Sequence, residues 1–329
     1  MSNYDVIGIG NAIVDVISHA EDTFLDHMGI DKGIMQLVER DRAEVLYAAM
    51  KDRTETPGGS VANTIAGLGS LGLSTAFIGK VKDDALGRFY AKGMEEAGTA
   101  FPNPPVANAA APTSRSMIFV SPDGERSMNT YLGAGADLGQ ADVPHDLFAG
   151  SSILFLEGYL FDKPDGKTAF AEAAHHMKAA GGRSGITLSD PFCADRHRAD
   201  FQRLIADEMD YVIGNAAEWT TLYETDDLSA ALDQAAANCE TVVCTCSGDP
   251  VILRRGDEQV SVPVQRVVPV DATGAGDQFA AGFLYGYASG QSLEVCGRMG
   301  VMAAAEVIGH VGPRPKANMK AMFKTAGLI

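Results

Sequence analysis

From residue 150 onward, short apolar runs alternate with helical stretches, and this rhythm constrains the fold more than any other feature of the chain. The runs at 153–156, 185–188, 211–213 and 242–246 lack the polar alternation of a half-exposed strand. They read as strands buried on both faces. Between them, 167–180 and 199–208 carry helical patterns. Strands separated by helices of this length make parallel sheets covered on both sides. The start of the chain agrees. Asp5-Val6-Ile7-Gly8-Ile9-Gly10 reads as a buried strand, 61–71 as a helix that Ser60 would cap, and 74–78 as a further strand. The expected fold is therefore α/β, a doubly wound and mainly parallel sheet.

Two segments break the rhythm, near 30–55 and 100–132, with more polar and hairpin-like character. The turn Ser121-Pro122-Asp123-Gly124 between 114–120 and 125–131 predicts a β-hairpin. These insertions are expected to form a small β-sheet lid. The whole chain, 1–329, then reads as one domain whose discontinuous lid comes from about 11–55 and 100–132. A hydrophobic content of 46% supports a substantial core, and a formal charge of −17 argues against nucleic acid or an anionic membrane as partner. No apolar run approaches the roughly 20 residues that span a bilayer, and no secretory leader is legible. Five cysteines without paired spacing fit a reducing, cytoplasmic setting. Cys244 and Cys246 share a strand face but lack the companion ligands of a zinc site. Monomer and homodimer both remain open.

The chemistry concentrates in Asp271-Ala272-Thr273-Gly274-Ala275-Gly276-Asp277, followed by an apolar helix. Small residues at a helix start let backbone N–H groups converge on one point, beside the positive end of the helix dipole. Gly274, Ala275 and Gly276 would form an anion hole, and Asp277 would take a proton from an attacking alcohol. Near a helix start Asp277 is expected to be ionised. The plainer alternative is two carboxylates capping a glycine turn. A second glycine element, Gly58-Gly59-Ser60, opens the next helix with Asn63 in its first turn, where an amide offers both donor and acceptor. Asn11 and Asp15 follow the first strand and suit vicinal hydroxyls, or else cap a loop. Asn215 and Glu218, at i and i+3, reach water on a magnesium ion or simply start a helix. Glu157 ends another strand and is expected to touch the substrate. His175 and His176 receive no role. The half-fingerprint Gly8-Ile9-Gly10 keeps a dehydrogenase as a distant alternative; a non-catalytic sensor is another.

Taken together, these motifs resemble the ribokinase-like (PfkB) family of carbohydrate and nucleoside kinases over nearly the whole chain. The resemblance implies transfer of the γ-phosphoryl group of ATP to a hydroxymethyl group, with magnesium and often activation by a monovalent cation such as potassium. It implies Asp277 as base, Gly274 to Gly276 as anion hole, and Asn11, Asp15, Gly58, Gly59 and Asn63 around the acceptor. Asn215 and Glu218 would organise magnesium and phosphate; Ser247, Gly248 and the helix 301–308 would contact ATP. Asp271 and Thr273 would flank a monovalent cation. The spacing Asn11-x-x-x-Asp15, the pair Arg126-Ser127 and the turn Gly58-Gly59-Ser60 are similar to adenosine kinases. Met35, Leu37, Met117 and Phe119 would roof a purine. A nucleoside such as adenosine is thus the expected acceptor, with a free pentose or hexose as alternative.

Overall fold

A computed structural model describes residues 3–329. In chain order its strands are β1 (Val6–Ile9), β2 (Ile13–His19), β3 (Met35–Leu37), β4 (Thr54–Gly58), β5 (Thr75–Ile78), β6 (Thr99–Ala100) and β7 (Ser114–Val120). They continue with β8 (Arg126–Tyr131), β9 (Ile153–Glu157), β10 (Arg183–Thr187), β11 (Tyr211–Asn215), β12 (Thr241–Cys246), β13 (Asp249–Arg255) and β14 (Glu258–Val262). Nine of them form one sheet in the order β14-β13-β12-β11-β10-β9-β1-β5-β6. It is parallel from β12 to β6, and only β13 runs the other way, pairing antiparallel with both β12 and β14.

Alternating side chains of each buried strand feed two cores. Val6, Phe155, Tyr211 and Val243 face the helices Ser60–Ser70, Ala275–Ala288 and Leu293–Val307. Ile7, Leu154, Ile186 and Val212 face the other side, toward helices Pro164–Ala179 and Arg198–Glu208. This double burial is why the strands read as uninterrupted apolar runs.

The chain moves from β1 to β5 and β6 in one direction, and later from β9 to β12 in the other. The switch point lies between β1 and β9, where such sheets open a crevice beyond the strand ends. A smaller sheet, β3-β8-β7-β2-β4, stands over that end. Its β7–β8 pair is the hairpin read from the turn, closed by the Gly124 N–H on the Ser121 carbonyl at 2.9 Å. No helix of the described residues is long and apolar enough to cross a membrane.

Candidate active site

Asn11 leaves β1, Glu157 ends β9 and Asn215 ends β11, so three strand ends deliver polar groups to the switch point. Glu157 is fully buried. Its Oε1 accepts from the Asn11 backbone N–H at 2.7 Å and from Asn11 Nδ2 at 2.8 Å, and its Oε2 accepts from the Val61 N–H at 3.0 Å. Both oxygens are therefore committed to protein. Glu157 thus holds Asn11 and the start of the helix Ser60–Ser70, and it also lines the cavity that contains Asn11 and Asp15. Asn11 Oδ1 is left buried and without a partner, an acceptor that a ligand donor would satisfy.

Asp15 projects from β2 and is buried. Two glycines make room for this corner. A Cβ on Gly58 would lie 2.4 Å from Asp15 Oδ2. One on Gly59, at φ +100°, would lie 2.2 Å from the Asn11 carbonyl oxygen. Gly59, rather than Ser60, is the N-cap of the helix. Ser60 is instead its first residue, and its hydroxyl donates to Asp277 Oδ1 at 2.7 Å, while Asn63 Nδ2 donates to Asp277 Oδ2 at 3.0 Å. The two glycine elements, more than 200 residues apart in the chain, thus meet at one carboxylate.

The Asp277 loop is shaped by Gly274, an N-cap at φ +79° whose Cβ would meet Pro313 Cα at 2.6 Å. No side chain caps the helix Ala275–Ala288. The Ala275 N–H donates to the Ala272 carbonyl at 3.2 Å, which removes it from the expected anion hole. The N–H groups of Gly276 and Asp277 remain as first-turn donors, and the space above Gly276 is open.

Two cavities meet at Asp277 and Ser60. The smaller, about 180 Å³, also has Gly276, Asn215, Glu218 and Thr245 on its walls. The larger, about 470 Å³, has Asn11, Asp15, Gly59 and Asn63 at its polar end and Met35, Leu37 and Phe192 at its apolar end. Asn215 and Glu218 form a capping box. Glu218 Oε2 accepts from the Asn215 N–H at 2.8 Å, its Oε1 from Asn215 Nδ2 at 2.6 Å, and Asn215 Oδ1 accepts from the Glu218 N–H at 2.9 Å. Ser247 and Gly248 form the turn after β12, and neither is on the walls of these two cavities.

Buried acids dominate the electrostatics. Burial lifts Asp15, Glu157 and Glu218 to about 7 and Asp277 to about 6, although hydrogen bonds or arginines pull each back. Asp277 is thus less acidic than its place at a helix start led us to expect. At Asp271 burial also acts upward, but the N–H groups of Gly312 and Thr273 and the guanidinium of Arg126 outweigh it and hold the carboxyl below its usual value. Asp271 Oδ2 accepts from Gly312 N–H at 3.0 Å and pairs with Arg126 Nη1; Oδ1 accepts from Thr273 N–H at 2.9 Å. Arg126, reaching over from β8, places a positive charge beside Asp271.

Three features were missed in the sequence. Arg314 Nε donates to Asn63 Oδ1 at 3.3 Å, and its charge acts on Asp15 and Asp277; a lone arginine between Pro313 and Pro315 was its only signal. Phe192 is 77% exposed, at the start of the short helix Pro191–Arg196. Ser60 is the third. In the other direction, Met117 and Phe119 do not roof the cavity. They are buried on the far face of the small sheet, with Phe119 against Phe24 at 5.4 Å, because Ser116 holds the cavity-facing register of β7. Gly8 serves packing rather than a dinucleotide: its Cβ would lie 2.4 Å from Ile65 Cγ1.

A switch-point crevice, a helix-start anion site and a carboxylate between two cavities define an α/β kinase acting on an alcohol. The sequence profile of the pfkB family of carbohydrate kinases matches residues 28–319, and the chain belongs to that family, whose members are phosphotransferases acting on hydroxyl groups. It is similar to a probable sugar kinase from Rhizobium etli, at 44% identity and a TM-score of 0.92 over 100% of both chains. It is equally similar to the adenosine kinase from Sinorhizobium meliloti, at 46% identity and 0.91 over 99% of this chain and 100% of that one. The fructokinase of Klebsiella pneumoniae is 30% identical over 82% of this chain and 89% of its own length.

Proposed function

We propose that this kinase transfers the γ-phosphoryl group of ATP to the hydroxymethyl group of a nucleoside, adenosine in the first instance. The observation that carries the reading is the two-ended cavity at Asp277. Its polar end offers the buried Asp15 carboxylate and the unpartnered Asn11 Oδ1, which suit vicinal ribose hydroxyls. Its other end offers Met35, Leu37 and Phe192, which are 44%, 52% and 77% exposed, an apolar wall that a free sugar would leave wet and a purine would cover. The similarity to a named adenosine kinase supports the same choice.

In this reading the acceptor hydroxyl lies beside Asp277. As its oxygen bonds to the γ-phosphorus, the proton passes to the Asp277 carboxylate, and the bond from the γ-phosphorus to the bridging oxygen breaks to release ADP. Ser60 and Asn63 fix the carboxylate, so that it meets the hydroxyl without reorganising. The N–H groups of Gly276 and Asp277 receive the phosphoryl oxygens. The donor set of Asn215 and Glu218 consists of hard oxygens and an amide already engaged in a cap, which fits a magnesium ion through water rather than by direct ligation. Magnesium, when bound, supplies charge neutralisation to the phosphates. With Arg126 on Asp271, potassium has a competitor at that carboxylate; comparing rates in potassium and tetramethylammonium chloride reads out whether the ion is needed.

A sugar kinase is the second reading, favoured by the polar end alone and by the fructokinase similarity. ADP release measured across adenosine, other nucleosides, ribose and fructose decides between them. Adenosine is expected to give the highest kcat/KM; a free pentose or hexose used more efficiently would sink the nucleoside reading.

A further inference from the structure

On the other face of the large sheet from the Asp277 helix, three side chains that the kinase chemistry does not use converge. Glu172 and His176 stand one turn apart on the helix Pro164–Ala179, so they share its face. His145 opens the short turn His145–Leu147 in the connection from β8 to β9 and lies against them. We propose that His145, Glu172 and His176 bind a divalent transition-metal ion of the zinc class.

The geometry carries the argument. The Nε2 atoms of His145 and His176 lie 3.6 Å and 3.7 Å from the same oxygen, Oε1 of Glu172. Those distances exceed the roughly 2.7–3.2 Å of a nitrogen–oxygen hydrogen bond. They approach the separation of roughly 3.3–3.4 Å between ligands set about 2.0–2.1 Å from a tetrahedral ion. One ligand atom from each of the three residues lies within 4.8 Å of the others, so small side-chain rotations close the site. The second carboxylate oxygen, Oε2, is buried and has no hydrogen-bond partner. Without an ion, this glutamate satisfies neither oxygen well. The two imidazoles sit 4.4 Å apart between ring centres, edge to face. Phe148 stacks on His176 at 6.0 Å and fixes its plane.

The donor set selects the ion. Two imidazoles and one carboxylate, with a fourth position left for water, suit zinc, nickel or copper. Magnesium prefers oxygen ligands in six-fold array, so the ion that accompanies ATP does not compete here. His176 lies 12 residues along its helix from Pro164, about 18 Å at 1.5 Å per residue. That distance separates the site from the catalytic end of the sheet. An ion there would pin the connection that leaves the small sheet onto a core helix.

The test is calorimetric titration of the chelator-stripped full chain with zinc chloride, in buffer containing millimolar magnesium. One ion per chain is expected, with affinity weakened about tenfold or more in His145→Ala, Glu172→Gln and His176→Ala. Thermal unfolding provides a second readout. Zinc should raise the wild-type midpoint and leave His145→Ala unmoved. His145 is half-exposed, so in chelator the variant should unfold with the wild-type midpoint, which separates lost ligation from lost folding. No saturable zinc binding at tens of micromolar, or equal affinity in all three variants, would overturn the proposal; the latter places the ion elsewhere, with Cys244 and Cys246 the first alternative.

Discussion

Replacing Asp277 with asparagine preserves the side chain's shape and removes its capacity to accept a proton. Ser60 and Asn63 now donate to its two oxygens, and an amide keeps one of those acceptors, so the loop should survive the change. Burial sets the carboxyl at about 6. At pH 7 about nine-tenths of the base is therefore ionised, and at pH 5 about one-tenth, so wild-type kcat/KM should fall about tenfold per unit below pH 6. A positioned base contributes ~10²–10⁴ in rate, or about 2.7–5.5 kcal/mol of barrier. Coupled measurement of ADP release between pH 5 and pH 8, across adenosine concentrations that give both kcat and kcat/KM, should show kcat of Asp277→Asn reduced by that factor. KM for ATP should stay within about threefold. The acid limb should vanish from the residual activity. Near-wild-type turnover would refute the assignment of the base. Persistence of the same acid limb would move the titration to Asp15 or Glu157, both lifted to about 7.

Phe192→Ala should raise KM for adenosine about tenfold, the loss of roughly 1.4 kcal/mol of stacking and burial, and leave kcat unchanged; an unaltered KM would remove the aromatic wall from the substrate reading. Gly59→Ala forces a Cβ to 2.2 Å from the Asn11 carbonyl at φ +100°. It should cost about 2 kcal/mol or more, seen as a lowered urea midpoint, and a midpoint equal to wild type would show that the corner relaxes. The ligand-free protein should lose stability as pH rises from 5 to 7. Asp15, Glu157, Glu218 and Asp277 bind protons more tightly folded than unfolded, so the stability they contribute at low pH is lost as each ionises. Carboxyls held below their usual value, such as Asp84 and Asp271, titrate beneath that window. A urea midpoint that climbs between pH 5.5 and pH 7 would contradict this.

Much of the architecture was legible because strand and helix signals are local. Strands at 153–156 and 211–213 declared themselves by double burial, and the hairpin by its turn. The capping box at Asn215 and Glu218 was visible as spacing, but its hydrogen bonds show both groups satisfying their own helix end before any ion. Errors arose where a face or a partner had to be known. Met117 reads as cavity-facing yet lies on the other side of β7, since alternation tells which residues share a face but not which face meets the cavity. Ser60 reads as a helix cap, yet its hydroxyl reaches a carboxylate 217 residues away.

By itself the sequence determined the order of elements, the doubly buried sheet and the glycine-flanked carboxylate at Asp277. Each follows from periodicity or from the geometry of one helix end. Only the tertiary structure decided that Asp277 lies between two cavities, that Arg126 crosses from the small sheet to Asp271, and that Arg314 and Phe192 join the site. It also brought His145 to Glu172 and His176. These are contacts between residues far apart in the chain, set by the switch point between β1 and β9 and by the register of the small sheet above it, and no local pattern encodes them.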